Sequence, residues 1–127
     1  MKSDKYLGTI RILIGLMFLL IGIVKLTDVA GVSTFFGSLG IPASLFFAWV
    51  VALSETLFGL AVLIGYKIKY TAWPLVVIFV IAILLAILPN VGFNSGSISI
   101  LFFHLTVIAA LVHFAMNGAG SWAVDKK

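Results

Sequence analysis

Four long apolar stretches, residues 7–26, 42–64, 70–88 and 97–115, constrain this chain more than any other feature. Each runs for about the 20 residues that a helix needs to cross about 30 Å of hydrocarbon. With 63% of the residues apolar and 9% charged, against about 25% charged in an ordinary soluble domain, a water-soluble fold is excluded. Both tails and the three loops are too short to form a domain of their own. The spans are about twice the length of a barrel strand and lack its alternation, so their backbone must satisfy itself within helices. The expected fold is therefore all-α: one four-helix transmembrane bundle over residues 1–127, set in the lipid bilayer of the cell membrane.

A cleaved signal peptide is the competing reading of the first span, because Lys2, Lys5 and Arg11 precede the apolar run 12–24. That run ends at Lys25, and Thr27-Asp28-Val29-Ala30 lacks the small residue needed three places before a cut at Ala30, so the span is expected to be retained. With four spans, both tails share a side with the turn 65–69. That side gathers Lys2, Lys5, Arg11, Lys67, Lys69, Lys126 and Lys127, whereas the other has Lys25. Because flanking cations stay preferentially in the cytoplasm, both termini are expected there. The net charge of +4 is thereby a topology signal; the cations are scattered at helix ends, and no nucleic-acid partner is expected.

In the first loop, Val32, Phe35, Phe36 and Leu39 follow the i, i+3, i+4, i+7 spacing of a two-turn amphipathic helix, expected to lie at the outer interface. Gly40 breaks it, and Pro42 suits the first turn of the second span. Pro74 stands near the start of the third span and interrupts little. Pro89 and the run Asn90, Gly92, Asn94, Gly96 end that span. Trp49, Trp73 and Trp122 read as interface anchors or lipid-facing bulk.

The informative residues are the polar ones inside the spans. In the first, Gly8, Arg11, Gly15, Phe18, Gly22 and Lys25 step by threes and fours and so form one stripe; its glycines allow close helix approach. Ala48, Ala52, Glu55 and Gly59 form a matching stripe in the second, and the two stripes are expected to face each other. If the two spans are level at their midpoints, Arg11 and Glu55 differ in depth by only about 5 Å, which makes Arg11 the expected partner of a carboxylate that lone burial would penalise by about 2.5–3.5 kcal/mol. Such a pair serves either a functional site or only the choice of packing face. Lys25, with Asp28 three residues on, reads as an interfacial lysine with a local partner.

His104 and His113 lie nine residues apart on the fourth span and project from opposite faces, so they cannot share one metal or clamp one haem. His104 either reaches the polar interior near Glu55 or makes a helix-to-helix hydrogen bond. The chain has no cysteine, which removes thiol redox chemistry and iron–sulfur ligation from its own repertoire. Phosphate loops and nucleophile triads are also missing. No catalytic residue, metal site or covalently held cofactor is expected.

Arg11 with Gly15, Gly22 and Lys25 in Gly-Ile-Val-Lys-Leu, Leu39-Gly40-Ile41-Pro42, Glu55 followed by Gly59 and Gly65, and a tail with Gly118, Gly120, Trp122 and Asp125 together resemble the DoxX family of small membrane proteins. The similarity covers essentially the whole chain. Ser121-Trp122-Ala123-Val124-Asp125 departs from the family's more usual aromatic, serine, leucine, aspartate run. The resemblance implies a four-helix integral membrane protein, linked in some members to quinone-coupled oxidoreductases such as the small subunit of a thiosulfate:quinone oxidoreductase. It also places the family's arginine, lysine and glutamate on Arg11, Lys25 and Glu55.

The leading expectation is an accessory or quinone-proximal subunit of a membrane redox complex. Arg11, Lys25, Glu55 and His104 are the candidate polar-pocket residues, quinone the candidate ligand, and other membrane subunits or further copies of the chain the expected partners. A transporter like the small multidrug resistance proteins is a rival, weakened by a carboxylate in the second span and by a nearby arginine that would compete with cationic substrates. A structural scaffold is a third reading, because Ala82 and Ala86, and Thr106, Ala109, Ala110 and His113, leave small-residue faces for other helices.

Overall fold

A computed structural model describes residues 2–125, with side chains from residue 4 onward. Five helices follow one another: α1 (Lys2–Thr27), α2 (Val29–Ser38), α3 (Ser44–Ile64), α4 (Ile68–Ala82) and α5 (Ser95–Asn117). Four segments are long and apolar enough to cross a membrane: Asp4–Thr27, Ser44–Ile64, Ile68–Asn90 and Ser95–Asn117. Only 22% to 33% of each is buried inside the protein. The rest of each apolar surface faces outward, which is stable where the solvent is lipid.

α1 and α3 form the tightest helix pair, because glycine lets their backbones approach. A Cβ on Gly15 would strike the backbone of Leu63, one on Gly22 would strike Thr56, and one on Gly59 would fall 2.7 Å from Leu19 N. The two stripes do face each other: Gly8, Arg11, Gly15, Phe18 and Gly22 are buried on α1, and Ala48, Ala52, Glu55 and Gly59 on α3. α4 and α5 complete the bundle around Phe18, Leu75, Phe79, Leu111 and Phe114, with the Phe18 and Phe79 rings 4.8 Å apart.

The short loop helix is present and begins earlier than its apolar pattern, because Asp28 caps it by accepting from Gly31 N at 3.1 Å. Its end is closed by a pair of reversed bonds, Gly40 N to Gly37 O and Ile41 N to Phe36 O, with Gly40 in the left-handed region at φ 84°. α2 lies along the first turns of α3, where the Ser33 and Ser44 hydroxyls meet at 3.0 Å. Pro42 is not in the first turn of the second span: Ala43 adopts φ 49°, so helical geometry starts only at Ser44.

The third span also departs from a plain helix. After Ala82 it widens into a π-turn, Ile83–Ile87, in which Leu88 N bonds Ile83 O, and then tightens into a 3-10 turn, Leu88–Asn90. Pro89 explains the change. It has no N–H to give, and its ring would clash with the carbonyl of Leu85 in a regular helix. The Asn90 side chain supplies a replacement donor to Ala86 O at 2.9 Å.

Ser121 N donates to Asp4 O, which brings both ends of the chain to the same end of the bundle. Lys5, Arg11, Lys67 and Lys69 gather there too. Lys126, Lys127 and the side chain of Lys2, which entered the charge count, lie outside the described residues.

Candidate functional site

The α1 stripe carries two cations, and the fold treats them differently. Arg11 is fully buried and spends its guanidinium on backbone carbonyls. Nε donates to Val62 O at 3.0 Å, Nη1 to Ala119 O and Ser121 O at 2.6 and 2.8 Å, and Nη2 to Leu63 O and Trp122 O at 3.4 and 2.8 Å. That uses the whole donor set of an arginine. Two of the acceptors lie in the last turn of α3, where carbonyls run short of helical donors; Val62 O also accepts from Gly65 N at 3.0 Å. The others come from the tail, which turns around Gly118 and Gly120, at φ 100° and 77°.

The same tail closes the next helix. Val124 N and Asp125 N donate to Ile64 O and Gly65 O, and the Asp125 carboxylate accepts from Lys67 N and Ile68 N at 2.6 and 2.9 Å. A carboxylate at a helix N-terminus satisfies free amides and meets the positive end of the helix dipole. Asp125 therefore caps α4 from a distant part of the chain.

Glu55 is 1% exposed, and its partner is Lys25, with Nζ 2.6 Å from Oε1. This overturns both sequence pairings, Arg11 with Glu55 and Lys25 with Asp28. The cause is helix register. Gly15 packs on Leu63 and Gly22 on Thr56, which slides α3 along α1 until Glu55 is level with Gly22. Arg11 is then three turns away, about 16 Å along the axis. Asp28 is occupied as the cap of α2.

Lys25 also forms part of the wall of a cavity of about 570 Å3 between α2, the start of α3 and the irregular end of α4. Phe35 and Phe36 of α2 and Leu39 just after it, Phe47 and Val51 of α3, and Leu85 and Ala86 of the π-turn line it with Lys25. Lys25 is its only charged lining residue. A volume of this order suits a small organic ligand, and an apolar wall with one fixed polar group is how such sites bind and orient one. π-turns within helices recur at functional sites, and this one shapes the wall directly.

The four sequence candidates thus separate. Lys25 and Glu55 come together at the cavity, and Arg11 sits at the opposite end of the stripe. His104 joins neither, because its Nδ1 pairs with Ile100 O of its own helix at 2.9 Å and its ring lies against Phe79, with centroids 4.3 Å apart. It makes neither the contact with Glu55 nor the interhelical hydrogen bond expected of it. The cavity's aromatic wall was missed, although its signal was present: Phe35, Phe36 and Leu39 carry the amphipathic spacing of the loop helix, and they line the cavity with Phe35 still half exposed.

Comparison with known proteins agrees with this architecture. The DoxX family model matches residues 7–88, which include most of α1, all of α2 and α3, and most of the third span. Inner membrane protein YqjF of Escherichia coli (strain K12) is 30% identical over 131 residues, covering 99% of this chain and 95% of that protein. The membrane protein Rv3486 of Mycobacterium tuberculosis (strain ATCC 25618 / H37Rv) is 33% identical, covering 93% of this chain and 78% of its own length. A Bacillus subtilis (strain 168) protein named "Putative oxidoreductase CatD" is 27% identical, covering 98% and 90%. No solved structure matches. Four apolar spans, the family match over the glycine-rich helix pair, and full-length similarity to membrane proteins lead to one conclusion: the chain belongs to the DoxX family and is a multi-pass protein of the cell membrane.

Proposed function

We propose that the protein is an accessory, quinone-proximal subunit of a membrane redox complex, and that a quinone ring occupies the cavity beside Lys25. The observation that carries this reading is the cavity itself: phenylalanine and aliphatic walls with a single ammonium, held in place by a buried carboxylate. The name of the Bacillus subtilis relative as an oxidoreductase supports the same class of role. A bound quinone would offer two carbonyl acceptors, and its reduction to the quinol would take two electrons from a partner subunit carrying the redox centre and two protons from water.

The chain's own contribution is to bind and orient the ring. Phe35, Phe36 and Phe47 offer flat apolar surface to a ring, and aliphatic side chains line the rest of the wall. Lys25 Nζ has three N–H donors, of which one is engaged by Glu55; another would serve a ligand carbonyl. Glu55 is not among the cavity-lining residues. It acts through Lys25, fixing the position of the ammonium at the wall.

Titration of the purified protein with a short-tailed quinone analogue tests this reading. Lys25→Met, Glu55→Met removes the donor and the carboxylate together, so no charge is left buried alone. A charge-assisted hydrogen bond contributes about 1.5–3 kcal/mol, and binding is therefore expected to weaken by roughly tenfold or more. An analogue that binds the double variant as tightly as the parent, or binds neither, overturns the proposal.

A further inference from the structure

We propose that the end face carrying Lys5, Lys67 and Lys69 is a docking surface for the phosphate headgroups of anionic phospholipids. These lysines come from α1 and from the turn and first residues of α4, and the tail brings them to one face. Ser121 N binds Asp4 O beside Lys5, while Asp125 holds Lys67 N and Ile68 N. All three ammonium groups are on exposed residues. Among the described residues two carboxylates share this end, Asp4 and Asp125, and that of Asp125 is engaged by the α4 amides.

The neighbouring residues suit the same partner. Every tyrosine of the chain, Tyr6, Tyr66 and Tyr70, lies at this end and is exposed, as is Trp122. Lys67 lies 5.4 Å from the Tyr66 ring centre and Lys69 5.9 Å from that of Tyr70. Amphipathic rings alternating with cations are what the boundary between acyl chains and phosphates selects. The opposite end, with Ser33, Thr34, Ser38, Asn90 and Asn94, has one cation among the described residues, Lys25, and it is paired with Glu55.

Lys67 adds an independent observation. It holds φ 47°, a left-handed conformation that glycine or asparagine adopts with less strain. The lysine there holds its ammonium over an aromatic ring at this end of the bundle. This end is also the one expected on the cytoplasmic side, where anionic lipid attracts basic segments.

The test compares the parent protein with Lys5→Gln, Lys67→Asn, Lys69→Gln and with a triple Lys→Arg variant. Asparagine preserves the left-handed turn, so the neutral variant retains its backbone. Each protein is extracted from vesicles of phosphatidylcholine containing one tenth phosphatidylglycerol, and the retained phosphatidylglycerol is quantified by mass spectrometry. At about fivefold per interfacial lysine, the parent and the arginine variant are expected to enrich phosphatidylglycerol at least fivefold over the neutral variant. Salt is expected to erase the difference, because exposed charges are screened. Glycerol phosphate without acyl chains is expected not to compete. Equal retention by parent and neutral variant, or displacement of the lipid by free glycerol phosphate, overturns the proposal.

Discussion

Arg11 and Lys25 stand on the same buried stripe of one helix, yet the protein resolves their charges in opposite ways. Arg11 is surrounded by five neutral carbonyls from two chain segments, and its guanidinium is saturated. Lys25 faces one carboxylate and a cavity, and its ammonium retains donors to give. A planar fork with five N–H groups suits the collection of helix-end and tail carbonyls, whereas a compact point charge suits a ligand site. Burial of a cation inside a membrane helix therefore does not by itself mark a site of chemistry; the identity and completeness of its partners do.

That contrast breaks most readily at the Arg11 end. Arg11→Met removes five hydrogen bonds, two of them buried and three partly buried, and loosens the tail; at about 0.5–1.5 kcal/mol per bond, or somewhat more to a charged donor, it is expected to destabilise the protein by about 3–5 kcal/mol in thermal melting in mild detergent. Arg11→Lys cannot reproduce the fork and is expected to recover only part of the loss. If Arg11→Met melts like the parent, the structural assignment of Arg11 is wrong.

At the other end, Lys25→Met alone leaves Glu55 buried without its partner and is expected to cost about 3 kcal/mol. Lys25→Met, Glu55→Met should recover most of that stability while ligand binding stays lost. A double variant as unstable as the single one would mean that the pair acts as packing, as Arg11 does.

Gly15→Ala tests the register that separates the two ends. Its Cβ meets the Leu63 backbone, and overpacking of this kind is expected to cost about 1–3 kcal/mol. Exposed Gly40 is no control, because its positive φ would strain any replacement; Gly37 on α2, where a Cβ would meet only Ser44 Oγ at an ordinary 3.7 Å, serves that purpose. The smallest effect is expected for Asp125→Ala, which removes a distant cap from α4 at a cost of about 0.5–2 kcal/mol. Hydrogen exchange at Lys67 and Ile68 should accelerate in that variant, and an unchanged rate there would deny the capping role.

Much of this fold was legible before any coordinates. Spans, the short loop helix and both interfacial stripes follow from period and composition, because lipid leaves the backbone no alternative to helix. Glu55 and Arg11 were recognisable as buried from their depth and their glycine neighbours. Their partners were not. The expected pair assumed that two spans meet midpoint to midpoint, and the glycine contacts shift them by several residues. The cavity was hidden for a related reason: an amphipathic α2 reads alike whether its apolar face meets lipid or α3 and α4. The π-turn at Pro89 and the cap supplied by Asp125 require knowing what lies across from them.

By itself, the sequence determined that this protein lives in a membrane, crosses it four times, and buries a few charges along glycine-lined stripes. Those properties depend on residue type and local spacing, which hydrocarbon enforces one helix at a time. Only the tertiary structure decided that Lys25, and not Arg11, meets Glu55, that the tail returns to saturate the arginine, and that a cavity opens beside the lysine. Each of those depends on how far one helix slides along another. Backbone contacts between residues dozens of positions apart set that distance, and no local pattern encodes it.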